Sequence, residues 1–247
     1  MYWEFPGTGL RLMGSLHLLP SGRPELPKWA VDAFDWAESL VFEAPQDQEL
    51  IAATIRAAEP ERITLALSDV ARATIEGLWQ TKCPNAPIES FKPWAAALAV
   101  PSFLMETSPG VEPQFTKWAG EQRKPVSFLE TPASFAAIAD TISRTELCAS
   151  MEIVAADLLE PARNLNALYD AWVAKDFEQV LEVAQKSPML RLEGMRQALL
   201  MRRNRAWLER LTELAQSSER VLVAVGALHC VGAGNVRELL NRPNRLV

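Results

Sequence analysis

The chain's two histidines, His17 and His229, close the same four-residue pattern, Gly14-Ser15-Leu16-His17 near one end and Gly226-Ala227-Leu228-His229 near the other. Neutral imidazole is a common ligand of divalent ions, and two imidazoles with a carboxylate and an open position are a standard hydrolytic arrangement. Two carboxylates stand out. Glu43 ends the apolar run "LVFEAP" and Glu130 ends "VSFLET", and a carboxylate at a buried strand end is costly unless it is paired or bound to a metal. The plainer readings are a satisfied core or surface histidine in each motif and a helix-capping role for each glutamate.

A third feature is a break in a pattern. Within "LRLEGMRQALLMRRNRAWLERLTEL" (190–214), the column Leu199, Arg203, Trp207, Leu211 puts a guanidinium in the middle of an apolar stripe. Arg203 is therefore expected to pair with Glu43 or Glu130, and Asn204 beside it offers an amide to the same pocket. The alternative for Arg203 is a side chain that lies along the core and reaches water. Cys230 and the tryptophans Trp29, Trp36, Trp94, Trp172 and Trp207 read as packing residues.

These residues need elements to hold them. "LRLMGSLHLL" (10–19), 39–45, 124–131 and 220–232 read as strands, with a last short strand in "NRLV" at the end of the chain. Helical periodicity runs from Pro24 to Ala37, through 92–100, 111–122 and about 235–241, and over most of 133–214 with breaks near Asp176 and Ser187-Pro188. Strands alternating with helices predict an α/β fold, a central mixed or largely parallel sheet with flanking helices. One domain over 1–247 is expected, with a helical insertion at about 145–214. Ligand sites in open α/β sheets lie beyond the carboxyl ends of strands, which is where His17, Glu43, Glu130 and His229 fall. If the histidines sit in strands, the leucine before each faces the opposite way, and so does Cys230.

The rest of the composition narrows the function. A net charge of −6 and the lack of a long basic run argue against nucleic acid. Cys83, Cys148 and Cys230 are three in number, far apart and without CxxC spacing, which fits reduced thiols. "MYWEFPGTGL" lacks the charged start and apolar core of a signal peptide, and no stretch reaches about 18 apolar residues. The expectation is a soluble, cytoplasmic protein that meets no membrane.

In order along the chain, "GSLHLLP", "LVFEAP", "KPVSFLET", "MRRNRAWLERL" and "VAVGALHCVGAGNV" resemble the TraB/GumN family, which includes the Tiki proteins and is related to ChaN-like and erythromycin-esterase-like proteins. The family pattern pairs two Gly-x-x-His motifs with a strand-end glutamate and an Arg-Asn pair, matching His17, Glu43, Arg203, Asn204 and His229. Glu130 matches a recurring Leu-Glu-Thr. The chain departs from the pattern at Asn235, which takes the place of a glycine after the second histidine; asparagine tolerates positive φ better than most residues. The resemblance implies a divalent-metal-dependent hydrolase of peptide or other amide bonds. His17, Glu43 and His229 would then hold Zn, Mn or Co, with Glu130 as a proton relay and Arg203 and Asn204 stabilising developing negative charge. Two other readings stand beside it. One is a protein that binds and sequesters a peptide or small molecule without turnover; the other is an esterase in which a histidine activates water without a metal.

Overall fold

The computed structural model describes residues 1–241. Its main sheet has five strands in the order β1-β2-β7-β4-β6: β1 Tyr2–Glu4, β2 Leu10–Ser15, β4 Ser39–Phe42, β6 Val126–Phe128 and β7 Val221–Gly226. β1 pairs with β2 antiparallel, and every other pairing is parallel. β3 (Leu18–Pro20) and β5 (Thr107–Pro109) form a separate antiparallel pair.

The sequence explains why the sheet is covered on both sides. All six residues of β7 and all four of β4 are buried, and the period of two divides them between two apolar layers. Leu40, Phe42, Leu222 and Ala224 pack on one face with Phe34, Phe115 and Trp172. Val41, Val221, Val223 and Val225 pack on the other with Trp207 and Leu211. Parallel strands need crossovers, and the longest, between β6 and β7, is helical through most of its length. It begins at a helix, Pro132–Ala139, whose N-terminus is closed by a reciprocal Thr131–Ser134 capping box. A third apolar layer, around Trp79, Trp94 and Met151, lies among the helices.

Several boundaries differ from the expectation. The run 10–19 is not one strand: β2 stops at Ser15, the Leu16 carbonyl accepts from Val111 N at 3.0 Å, and the chain rejoins the β3–β5 pair at Leu18. The run 220–232 likewise leaves the sheet at Gly226 and coils into a 3-10 turn, Ala227–Cys230. Glu43 and Glu130 follow the last residues of β4 and β6 by one and two positions. Helix 190–214 is interrupted, with a π-helical stretch, Gln197–Arg202, directly before Arg203. Within the helical region the breaks near Asp176 and Ser187 are present, and both residues cap the helices that follow. The strand expected in "NRLV" lies outside the described residues. Among those described, all three cysteines are free and no helix is long and apolar enough to cross a membrane.

Candidate active site

The sheet register brings the two histidine motifs together. Gly14 pairs with Val225 and Ser15 with Gly226 on the adjacent parallel strands β2 and β7, so both chains leave the sheet side by side. Glycine keeps that exit clear for the two side chains beside it. A Cβ on Gly226 would lie 2.9 Å from His17 Nε2 and 3.2 Å from Glu43 Oε1, closer than ordinary packing allows. His17, Glu43, Glu130, Arg203 and His229 all line one cavity of about 560 Å³ at this carboxyl-end edge.

Glu43 is the hub. Its Oε1 accepts from the Gly226 backbone N–H at 2.6 Å and lies 3.5 Å from His17 Nε2 and 3.6 Å from His229 Nε2, while its Oε2 is bonded to Arg203 Nη2. Burial pushes the carboxyl up, but the imidazoles and the Arg203 guanidinium outweigh it and hold it well below the usual carboxylate range.

Arg203 pairs with both glutamates that the stripe pattern left as alternatives. Its Nη2 reaches Glu130 Oε1 at 2.5 Å and its Nε lies 3.0 and 3.2 Å from the two Glu130 oxygens. Its Nη1 donates to the Leu199 carbonyl and to His229 Nε2, at 3.0 and 3.1 Å. The guanidinium also lies 4.9 Å from the ring centres of Phe135 and Trp207, a cation–π distance. Burial raises the Glu130 carboxyl, against the lowering pull of Arg203.

The two imidazoles are in opposite electrostatic states. His229 is 3% exposed. Its Nε2 accepts from Arg203, so Nδ1 carries the proton and donates to Asn204 Oδ1 at 2.6 Å. Burial drives its pKa down to about 3, with Glu43 opposing and Arg203 adding to the fall. Asn204, whose Nδ2 donates to the Gly234 carbonyl, is thus behind His229, orienting the ring. His17 is 53% exposed to the cavity and faces carboxylates at both nitrogens, with Nδ1 3.2 Å from Glu112 Oε1. Glu112, and Glu43 after it, raise its pKa well above the ordinary value despite the opposing desolvation. The exposure of the ring to solvent screens that effect.

Glu112, Ser15 and Trp207 belong to the site and had no functional reading in the sequence. Glu112 is 2% exposed, accepts from Ser15 Oγ, and leaves Oε2 without a hydrogen-bond partner among the described residues. Trp207 packs as expected, and its indole N–H also donates to Glu130 Oε2 at 3.2 Å. An acid in the first turn of a helix, here Val111–Gln122, is what the helix dipole favours anywhere, so nothing local separates Glu112 from an ordinary one. The alternation expected for the leucines fails for the same reason that the strands end early: Leu16 and Leu228 line the cavity beside His17 and His229, whereas Cys230 packs in the apolar layer with Trp207 and Val223.

The family model of the TraB/PrgY/gumN family matches residues 2–247. The chain belongs to the TraB/PrgY/gumN family. No curated protein and no solved structure matches it.

The donor set also bears on a metal. Among the described residues, no three or more His, Cys, Asp or Glu side chains are arranged to hold a metal ion. The reason is visible at His229: a nitrogen lone pair that would bind a cation is already used by Arg203, and the same guanidinium takes Glu43 Oε2. As arranged, His17, Glu43 and His229 do not fit an ion.

Proposed function

We propose that this member of the TraB/PrgY/gumN family hydrolyses an ester or amide bond of a peptide or small molecule held in the cavity, with His17 as the general base. One observation carries the reading: His17 lines the cavity with a half-exposed side chain, its Nδ1 held by a buried carboxylate, Glu112, and its Nε2 3.5 Å from Glu43 Oε1. That is the base-and-orienter geometry of acyl transfer. The neutral imidazole takes the proton of an attacking water through Nε2. Glu112 fixes the ring and stabilises the imidazolium that results, and Glu43 on the far side adds to that stabilisation. Arg203 spends its donors on Glu43, Glu130, His229 and Leu199. Its role here, with Asn204, is to hold Glu43, Glu130 and His229 in place, in contrast to the charge-stabilising role the family resemblance implied.

A metal-dependent version has a specific observation in its favour, the two Nε2 atoms that flank Glu43 Oε1 at 3.5 and 3.6 Å. It requires Arg203 to withdraw from His229, and no step above passes through a metal. Chelator-treated protein assayed on acyl esters and on a peptide library, with and without added Zn, Mn or Co, tests both versions. Turnover that persists in EDTA supports the His17 mechanism. Turnover only with an ion, with ion binding lost in His17→Ala and His229→Ala, supports the metal. Tight binding with no turnover under any condition supports the sequestering alternative.

A further inference from the structure

The walls of the cavity are apolar over most of their extent. Leu98, Met105, Phe135, Val154, Leu168 and Met189 come from separate helices and loops and face it. Glu43, Glu130 and Arg203 gather at the His17 end, and the remaining polar side chains on the wall are the carboxylate of Glu160 and the neutral Asn164 and Ser187, besides Ser15. A volume of about 560 Å³ is that of a small-molecule site. An extended peptide would bring an N–H and a C=O per residue into this space, and each one buried without a partner costs ~1–3 kcal/mol. A hydrocarbon tail brings none. Charge sharpens the choice. Among the described residues lining the cavity, Arg203 is the one permanent cation, and Glu43 and Glu130 already engage it; His17, when protonated, is flanked by Glu43 and Glu112. An anionic head group would meet carboxylates.

We propose that the substrate is a neutral straight-chain acyl ester or amide, its tail along the apolar wall and its carbonyl at His17; this rests on the hydrolytic reading above. The oxygen of water bonds to the acyl carbon, and its proton passes to His17 Nε2. The bond from that carbon to the leaving oxygen or nitrogen then breaks, and the proton ends on the leaving group. One water is consumed, a carboxylic acid and an alcohol or amine are released, and nothing is oxidised or reduced.

The test reads binding without turnover. 2-Octanone, 2-decanone and 2-dodecanone carry the acyl carbonyl with no bond to cleave, and their affinity for the intact protein is measured by titration calorimetry. Expected is an affinity that rises with length, up to about fourfold per methylene, and 2-dodecanone binding at least tenfold tighter than dodecanoate. Met105→Trp and Leu168→Trp, on opposite sides of β5 in sequence, should each weaken 2-dodecanone at least tenfold. Two sites are used so that one misfolded variant does not decide the matter. Affinity independent of chain length, or a capped apolar tetrapeptide binding tighter than 2-dodecanone, overturns the proposal. Length-dependent binding with no hydrolysis of the matching p-nitrophenyl esters would uphold the tail assignment while removing the hydrolytic reading on which the substrate role rests.

Discussion

Replacing Arg203 with methionine removes the one group that neutralises two buried carboxylates. Glu43 and Glu130 have side chains 9% and 5% exposed, and both bond to the guanidinium. Breaking a buried ion pair by removing one partner costs about 3–5 kcal/mol, mostly because the charge left behind has lost its solvation. At roughly 2–4 °C per kcal/mol for a chain of this size, Arg203→Met should melt about 6–20 °C below the parent at pH 7. The sign of the pH effect follows from the two acids. Glu43 is held low in the parent, so its stabilisation is present above the ordinary carboxylate pKa and is lost as pH falls through the folded value. Without Arg203, burial raises Glu130 against only the Trp207 indole N–H, and Glu43 keeps only the imidazoles and the Gly226 N–H against burial. Both carboxyls therefore rise, the variant gains stability from protonation as pH falls from 7 towards 5, and its deficit narrows. Adding Glu43→Gln and Glu130→Gln should recover part of the loss at pH 7, because an amide costs less to bury than an unpaired charge. Urea denaturation followed by circular dichroism at pH 7 and 5 measures all of this. A loss under about 1 kcal/mol at pH 7, or a deficit that does not shrink in acid, would refute the buried pairing.

Gly226→Ala places a methyl 2.9 Å from His17 Nε2; because that ring is half-exposed and can swing away, the stability cost should stay near the low end of the ~1–3 kcal/mol seen for overpacking, while misplacing the base lowers turnover about 100-fold. Equal losses in stability and activity, seen by melting and by kinetics, would argue against a site-specific effect. Nuclear magnetic resonance titration should find His229 neutral down to about pH 4, as the Nδ1–H tautomer, and His17 titrating above 6.5; a His229 that titrates near 6.5 contradicts the geometry. Since the unfolded chain protonates His229 more readily, that residue costs about 2 kcal/mol of stability between pH 7 and 5, and His229→Gln should lose correspondingly less over that range in urea melts. Glu112→Gln should lower kcat more than it raises KM and bring the His17 titration down towards 6.5; an unchanged His17 titration would show that Glu112 does not act on the ring.

Much of the site could be read from residue type and position. A guanidinium in an apolar helical stripe must meet a carboxylate, and the strand-end glutamates were the candidates; both turned out to be partners because Glu130 N bonds to the Glu43 carbonyl at 2.8 Å, holding the two side by side. The repeated glycine-to-histidine spacing pointed to one pocket, and the register of β2 against β7 is its physical basis. The early ends of both strands were not legible, since Leu16 and Ala227 continue the apolar run and only long-range contacts, such as Val111 N to the Leu16 carbonyl, decide where the sheet stops. Gly110 was equally opaque. A Cβ there would overlap the carbonyls of Leu16 and His17, which is how Glu112 comes to lie beside His17 across 95 residues of sequence.

His17, held by Glu112, activates water for attack on an acyl bond in the mechanism proposed above. The direct measurement is the pH–rate profile of p-nitrophenyl decanoate hydrolysis by chelator-treated protein, against His17→Asn prepared in the same way. Expected is a rate that rises with pH through a single ionisation above 6.5, coinciding with the His17 titration to be measured by magnetic resonance, and a fall of at least about 100-fold in the variant. A rate in His17→Asn within about threefold of the parent, or a profile whose ionisation does not coincide with His17, would contradict it.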